Sequence, residues 1–193
     1  QTYTGMVERK VISRESTAHI DVKNGKVMIY LNGLQTYDYN TGAQLWNAAF
    51  DFTIDVISKP HNAKRWGVYG AVADPLIVGN DVYVLDFKTP RKQYLKKYDL
   101  NSGKLLWTSP EIPDAKAIPG MYLVDNTVVL QMGGQVECQE YEVTTTKTGN
   151  YEITTYRWLT FYRVAKPLGV MAYDATNGKQ IWESERFRKD ITN

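Results

Sequence analysis

The sequence holds little of what covalent, metal or membrane chemistry requires. One cysteine, Cys138, stands in 193 residues, which excludes an intrachain disulfide and a cysteine-rich zinc site. The two histidines, His19 and His61, are far apart and in no metal-ligand spacing. No Gly-x-Ser-x-Gly elbow and no phosphate-cradling glycine loop occurs. No apolar run approaches the ~20 residues of a bilayer span, so no membrane span is expected. An excess of one charge is missing too. Against 23 Lys and Arg stand 21 Asp and Glu, a net charge of +2, too balanced for a nucleic-acid surface.

What is present is a folded β composition, 43% hydrophobic and 12% aromatic with 14 Tyr, and one stretch written three times. It reads Asp38-Tyr39-Asn40-Thr41-Gly42-Ala43-Gln44-Leu45-Trp46, then Asp99-Leu100-Asn101-Ser102-Gly103-Lys104-Leu105-Leu106-Trp107, then Asp174-Ala175-Thr176-Asn177-Gly178-Lys179-Gln180-Ile181-Trp182. A Tyr precedes each Asp (Tyr37, Tyr98 and Tyr173), and the copies hold three of the five Trp. Apolar alternation runs into each Asp and resumes after each Gly, the pattern of two antiparallel strands around a short loop. Gly sits where a type I turn closes on a residue at positive φ, a conformation cheap only for Gly. Asp at the head of the turn accepts hydrogen bonds from backbone N–H groups ahead of it. Trp falls on the next strand, where its ring can bury roughly 150–250 Å² against a neighbouring unit. Asp38, Gly42, Trp46, Asp99, Gly103, Trp107, Asp174, Gly178 and Trp182 are therefore read as scaffold residues.

Around these turns the chain divides into four-stranded units. The first covers about 17–50, the second about 68–108 and the third about 119–185, with an insertion at about 135–164. Residues 1–16 read as a strand of a preceding unit. Units of this kind, repeated about an axis, make a β-propeller, typically of four to eight blades. The expected fold is all-β, a propeller portion of about three four-stranded antiparallel blades with an inserted β-hairpin in the third. Antiparallel parity puts the short Asn/Asp/Gly turns on one rim. The long connections, 47–74 among them, fall on the other.

The Tyr-Asp-x-x-x-Gly-x-x-x-Trp stretch resembles the repeat of the PQQ-like, or quinoprotein-type, β-propeller family, as does the strand Val82-Tyr83-Val84. The resemblance implies that the Trp of one blade docks on the Gly turn of the next. The small residue that leads the family's motif is kept only as Ala172, with Thr36 and Lys97 in the other copies, so looser docking is expected there. It also implies a periplasmic or extracellular setting in bacteria. The family's dehydrogenases hold PQQ under a vicinal Cys pair, with calcium on a Glu/Asn/Asp set. This chain has no Cys pair, so no cofactor is expected, and PQQ with calcium belongs only to the alternative of a dehydrogenase portion.

Two stretches depart from the repeat and form the candidate binding face. One is the connection Pro60-His61-Asn62-Ala63-Lys64-Arg65-Trp66-Gly67, far longer than the usual four to six residues. The other is Gln135–Val164, alternating around Lys147-Thr148-Gly149-Asn150 as a long hairpin. His61, Lys64, Arg65, Trp66, Arg91, Tyr141, Tyr156 and Trp158 pair basic groups with aromatics, as protein-binding hot spots do. The expectation is a non-catalytic scaffold for a protein or ligand. Three units are fewer than a ring needs, so the open flanks are expected to meet remaining blades or another copy of the chain.

Overall fold

The computed structural model describes residues 19–30, 33–50, 65–69, 71–89, 92–113 and 117–187. Every helix or strand element among them is a strand, and no helix there is long and apolar enough to cross a membrane. The first sheet is a meander of β1 (His19–Lys23), β2 (Lys26–Tyr30), β3 (Leu34–Asp38) and β4 (Gln44–Ala48). After β5 (Arg65–Tyr69), the second sheet runs through β6 (Leu76–Val78), β7 (Asp81–Thr89), β8 (Lys92–Asp99) and β9 (Leu105–Thr108). The third holds β10 (Gly120–Val124), β11 (Thr127–Thr148), β12 (Tyr151–Asp174) and β13 (Gln180–Glu183), with β5 paired to β11 off the meander. The chain is thus an all-β propeller portion of three four-stranded antiparallel blades.

Period-two alternation explains how the sheets stack. On β7, Val82 and Val84 pack with Met28, Tyr30 and Leu34 of the first sheet. The intervening Tyr83, Leu85 and Phe87 pack with Leu130, Met132, Met171 and Tyr173 of the third. The central sheet is therefore buried on both faces, and each such side chain contributes about 1.5–3 kcal/mol of apolar burial.

Each sheet repeats one further detail. The register slips opposite the residue before Trp, so that Thr36 faces Trp46, Lys97 faces Trp107 and Ala172 faces Trp182. The first and last turns of each unit share a rim. Tyr39 N–H donates to Gly25 O at 2.9 Å, Leu100 N–H to Asn80 O at 2.7 Å and Ala175 N–H to Asn126 O at 2.9 Å.

One expectation changes in detail. Segment 47–74 is not connection throughout, because Arg65–Tyr69 forms β5 against Glu137–Tyr141 of β11. The expected hairpin of the third blade is present, and β11 and β12 run unbroken from the blade ladder to its tip. Only the slip between Met132 and Gly134 marks the passage. The strand expected within residues 1–16 lies outside the described residues.

Candidate functional site

Two arrangements stand out, the seams between blades and the projecting hairpin. At the seams, each repeated Asp organises its own turn. Asp38 Oδ1 accepts from Asn40 N–H, Thr41 N–H and the Thr41 hydroxyl at 3.0, 2.8 and 2.9 Å. Asp99 does the same with Asn101 and Ser102. In the third copy Asp174 accepts from Thr176 N–H at 2.7 Å and from Asn177 Nδ2 at 3.1 Å. Donors aimed at the ionised carboxylate hold all three Asp below the usual carboxylate range, Thr41 N–H leading at Asp38, the Ser102 hydroxyl at Asp99 and Thr176 N–H at Asp174. The following Gly42, Gly103 and Gly178 adopt φ of 69, 70 and 74°.

The Trp of one unit lies on the Gly turn of the next. A Cβ on Gly103 would sit 2.5 Å from the Trp46 ring, and one on Gly178 2.4 Å from the Trp107 ring. Trp46 Nε1 donates to Leu100 O at 2.9 Å, and Trp107 Nε1 to Ala175 O at 3.1 Å. Thr36 and Lys97, beside which looser docking is expected, stand opposite the two seated Trp rings. Thr36 is fully buried beneath its Trp. Lys97 turns its Nζ onto the same Ala175 O at 3.2 Å, using that carbonyl's second lone pair, and pairs with Asp81 at 2.8 Å. Trp182 differs, being 47% exposed.

The hairpin is anchored on one face and open on the other. Val136, Cys138, Phe161 and Ala165 pack with Ala71 and Ala117. On the opposite face Tyr156, Tyr162 and Val164 alternate along β12 and are exposed, set across from Val143, Glu137 and Gln135. Nearer the tip Tyr151 and Ile153 are also exposed. Gly149, at φ 60°, opens the two-residue turn between Thr148 and Tyr151, the place where a type II′ hairpin turn takes Gly. Of the candidate binding residues, Arg65, Tyr141 and Trp158 form one cross-strand row of the register, with Trp66 and Glu140 in the next row on one side and Tyr156, paired with Val143, two rows away on the other. His61, Lys64 and Arg91 lie outside the described residues. Tyr162 and Val164 were not singled out from the sequence, although the alternation from Tyr156 runs on through them.

Burial pushes the Cys138 thiol up, lifts the buried phenol of Tyr30 and takes that of Tyr173 to about 12. Cys138 is a single buried thiol, and no three His, Cys, Asp or Glu among the described residues could hold a metal ion.

A family model described as outer membrane protein assembly factor BamB matches residues 7–192. Among solved structures, BamB from Moraxella catarrhalis is 16% identical with a TM-score of 0.40, over 86% of this chain and 47% of that one. Quinohemoprotein alcohol dehydrogenase ADHIIG from Pseudomonas putida HK5 is 12% identical with a TM-score of 0.39, over 86% of this chain and 34% of that one. The computationally designed Ika8 protein is 11% identical with a TM-score of 0.37, over 86% of this chain and 48% of that one. The chain spans less than half the length of each of these structures. No match is found among curated proteins. By the family match, with the repeat and the blades that carry it, the chain belongs to the PQQ-like β-propeller family described as outer membrane protein assembly factor BamB.

Proposed function

We propose that the chain is a portion of a propeller that acts as a non-catalytic protein-binding scaffold, in the periplasm or outside a bacterial cell. The observation that carries this reading is the open face of the β11–β12 hairpin, where Tyr156, Tyr162 and Val164 stand exposed in alternation on a strand pair held rigid at its base. Tyrosines offer large apolar area, a hydroxyl and little conformational entropy to lose, which suits recognition of another polypeptide. The family's description, an outer membrane protein assembly factor, supports a polypeptide as the partner class.

The test uses an outer-membrane β-barrel polypeptide, unfolded in urea, labelled and diluted into the chain, with binding followed by fluorescence anisotropy. A Tyr156→Ala/Tyr162→Ala variant is expected to bind at least about tenfold more weakly, the loss of one modest hot spot, with its melting temperature unchanged. Equal binding by variant and wild type would remove the hairpin from the function. Dye-linked alcohol oxidation after loading with PQQ and calcium would replace the whole reading by a quinoprotein dehydrogenase; no such oxidation is expected.

A further inference from the structure

Asn-Gly is the dipeptide at which a backbone amide most readily attacks the neighbouring side chain, since glycine puts no side chain beside the attacking nitrogen. The sequence has three such pairs, Asn24-Gly25, Asn32-Gly33 and Asn177-Gly178, and Asn32 lies outside the described residues. The structure treats the other two in opposite ways. In the third unit Gly178 N–H, the nitrogen that would attack, donates to Asp174 O at 2.8 Å, and the glycine is buried under Trp107. The Asn177 side chain is held at both ends, Nδ2 donating to Asp174 Oδ2 at 3.1 Å and Oδ1 accepting from Lys179 N–H at 2.9 Å. At the turn between β1 and β2, Asn24 and Gly25 are both exposed. Their φ of 51 and 69° is the backbone of a two-residue hairpin turn. There, among the described residues, one bond restrains the side chain, Nδ2 donating to Gly79 O of the second unit at 3.2 Å. This exposure does not hang on what stands before the first unit. The equivalent turns Gly79-Asn80 and Asp125-Asn126 are exposed too, although a preceding unit packs against each of their sheets.

We propose that Asn24 is a modification site, at which the folded chain deamidates. Gly25 N forms a bond to Asn24 Cγ while the Cγ–Nδ2 bond breaks, and ammonia leaves with the proton from the backbone amide. Water then opens the cyclic imide at either carbonyl, giving Asp or its β-linked isomer, and no oxidant or reductant enters. The product bears on a seam between units. Asn24 Nδ2 reaches Gly79 O, and Lys23 Nζ reaches Ile77 O at 2.7 Å, so the two side chains clasp the turn rims of the first two units. A carboxylate in place of the amide has no proton to give, so two acceptors face each other and that half of the clasp opens. Asp125, at the matching place of the third unit with φ 52°, shows that the turn itself takes a carboxylate. This proposal stands apart from the hairpin's role, since none of its residues lies on the hairpin.

Incubation of the folded 193-residue chain at mildly alkaline pH is the test, with peptide mapping by mass spectrometry to follow each Asn-Gly pair. Three hydrogen bonds guard Asn177 and its attacking nitrogen, against one at Asn24. Asn24 is therefore expected to convert at least about tenfold faster, the effect of two further bonds to break. In urea, where neither turn is held, the two pairs are expected to react at similar rates. Comparable rates at the two pairs in the folded chain would overturn the proposal. So would an Asn24 that stays intact while the unfolded chain reacts, or the same preference for Asn24 in urea, which would place it in local sequence and not in the fold. The consequence for the seam is read from Asn24→Asp, which is expected to melt about 2–4 °C lower, the loss of one modest hydrogen bond in a chain of this size. An unchanged melting temperature would overturn the claim that the product opens the clasp.

Discussion

At the residue scale the seams rest on a contact that only glycine permits. Gly42 and Gly103 share the left-handed backbone, at φ 69 and 70°, but only Gly103 has an indole against it. Comparing them separates the two demands on a turn glycine. Gly42→Ala, with nothing within 4 Å of the added Cβ, is expected to cost about 1–2 kcal/mol, the left-handed penalty alone. Gly103→Ala pays that and also forces Trp46 off its seat, adding a further ~1–3 kcal/mol of overpacking. Urea denaturation of the two variants measures the difference. Equal losses would mean that the Trp46 contact contributes nothing to stability. The three Asp turns and the recurring Trp stand out in the sequence because turn chemistry and a periodic Trp are local signals. One partner of the seam was not. Lys97 capping Ala175 depends on which carbonyl another unit brings near, and nothing in the residues beside it announces it.

At the level of elements, the sequence separates cleanly into strands that local pattern reveals and strands that only pairing creates. Nearly every blade strand shows alternation bounded by Asn, Asp or Gly. β5 does not: Arg65-Trp66-Gly67-Val68-Tyr69 sits in a long connection and becomes a strand because β11 projects beyond its blade and presents an edge. The passage from blade to hairpin is likewise set by backbone geometry. Gly133, at φ 67°, lies where a Cβ would be 2.3 Å from Pro167 O and 2.6 Å from Ala165 O, inside the slip between Met132 and Gly134. Gly133→Ala therefore meets fixed carbonyls as well as a strained φ, with no flexible side chain to yield. A loss of several kcal/mol is expected, at least ~2–5 by the sum of conformational strain and overpacking. Gly149→Ala, also at positive φ but with nothing within 4 Å of a Cβ, is expected to lose only the strain. Paired melts of the two variants check this, and a Gly149 effect as large as that of Gly133 would place the hinge of the hairpin at its tip.

For the molecule as a whole, stability is expected to be graded by how many faces of a sheet are covered. In repeat architectures each unit is held by its own contacts and by its neighbours, so an interior unit has two interfaces and an outer one a single interface. The second sheet is interior. Tyr83, Leu85 and Phe87 pack to one side of β7 and Val82 and Val84 to the other, and all five are essentially inaccessible. β13 shows the opposite, with every residue exposed, and so does the hairpin from Tyr151 to Arg157. Amide exchange reports the free energy of local opening, which ranges from near zero at frayed segments to the global value in the core. The amides of β7 and β8 are expected to exchange slowest, at the rate of global unfolding. Those of β13 and residues 151–157 should exchange fastest, with β2 and the ladder part of β11 between them. Protection in β13 equal to that in β7 would show that cover on two faces does not set the order of opening, and that the three sheets unfold as a single unit.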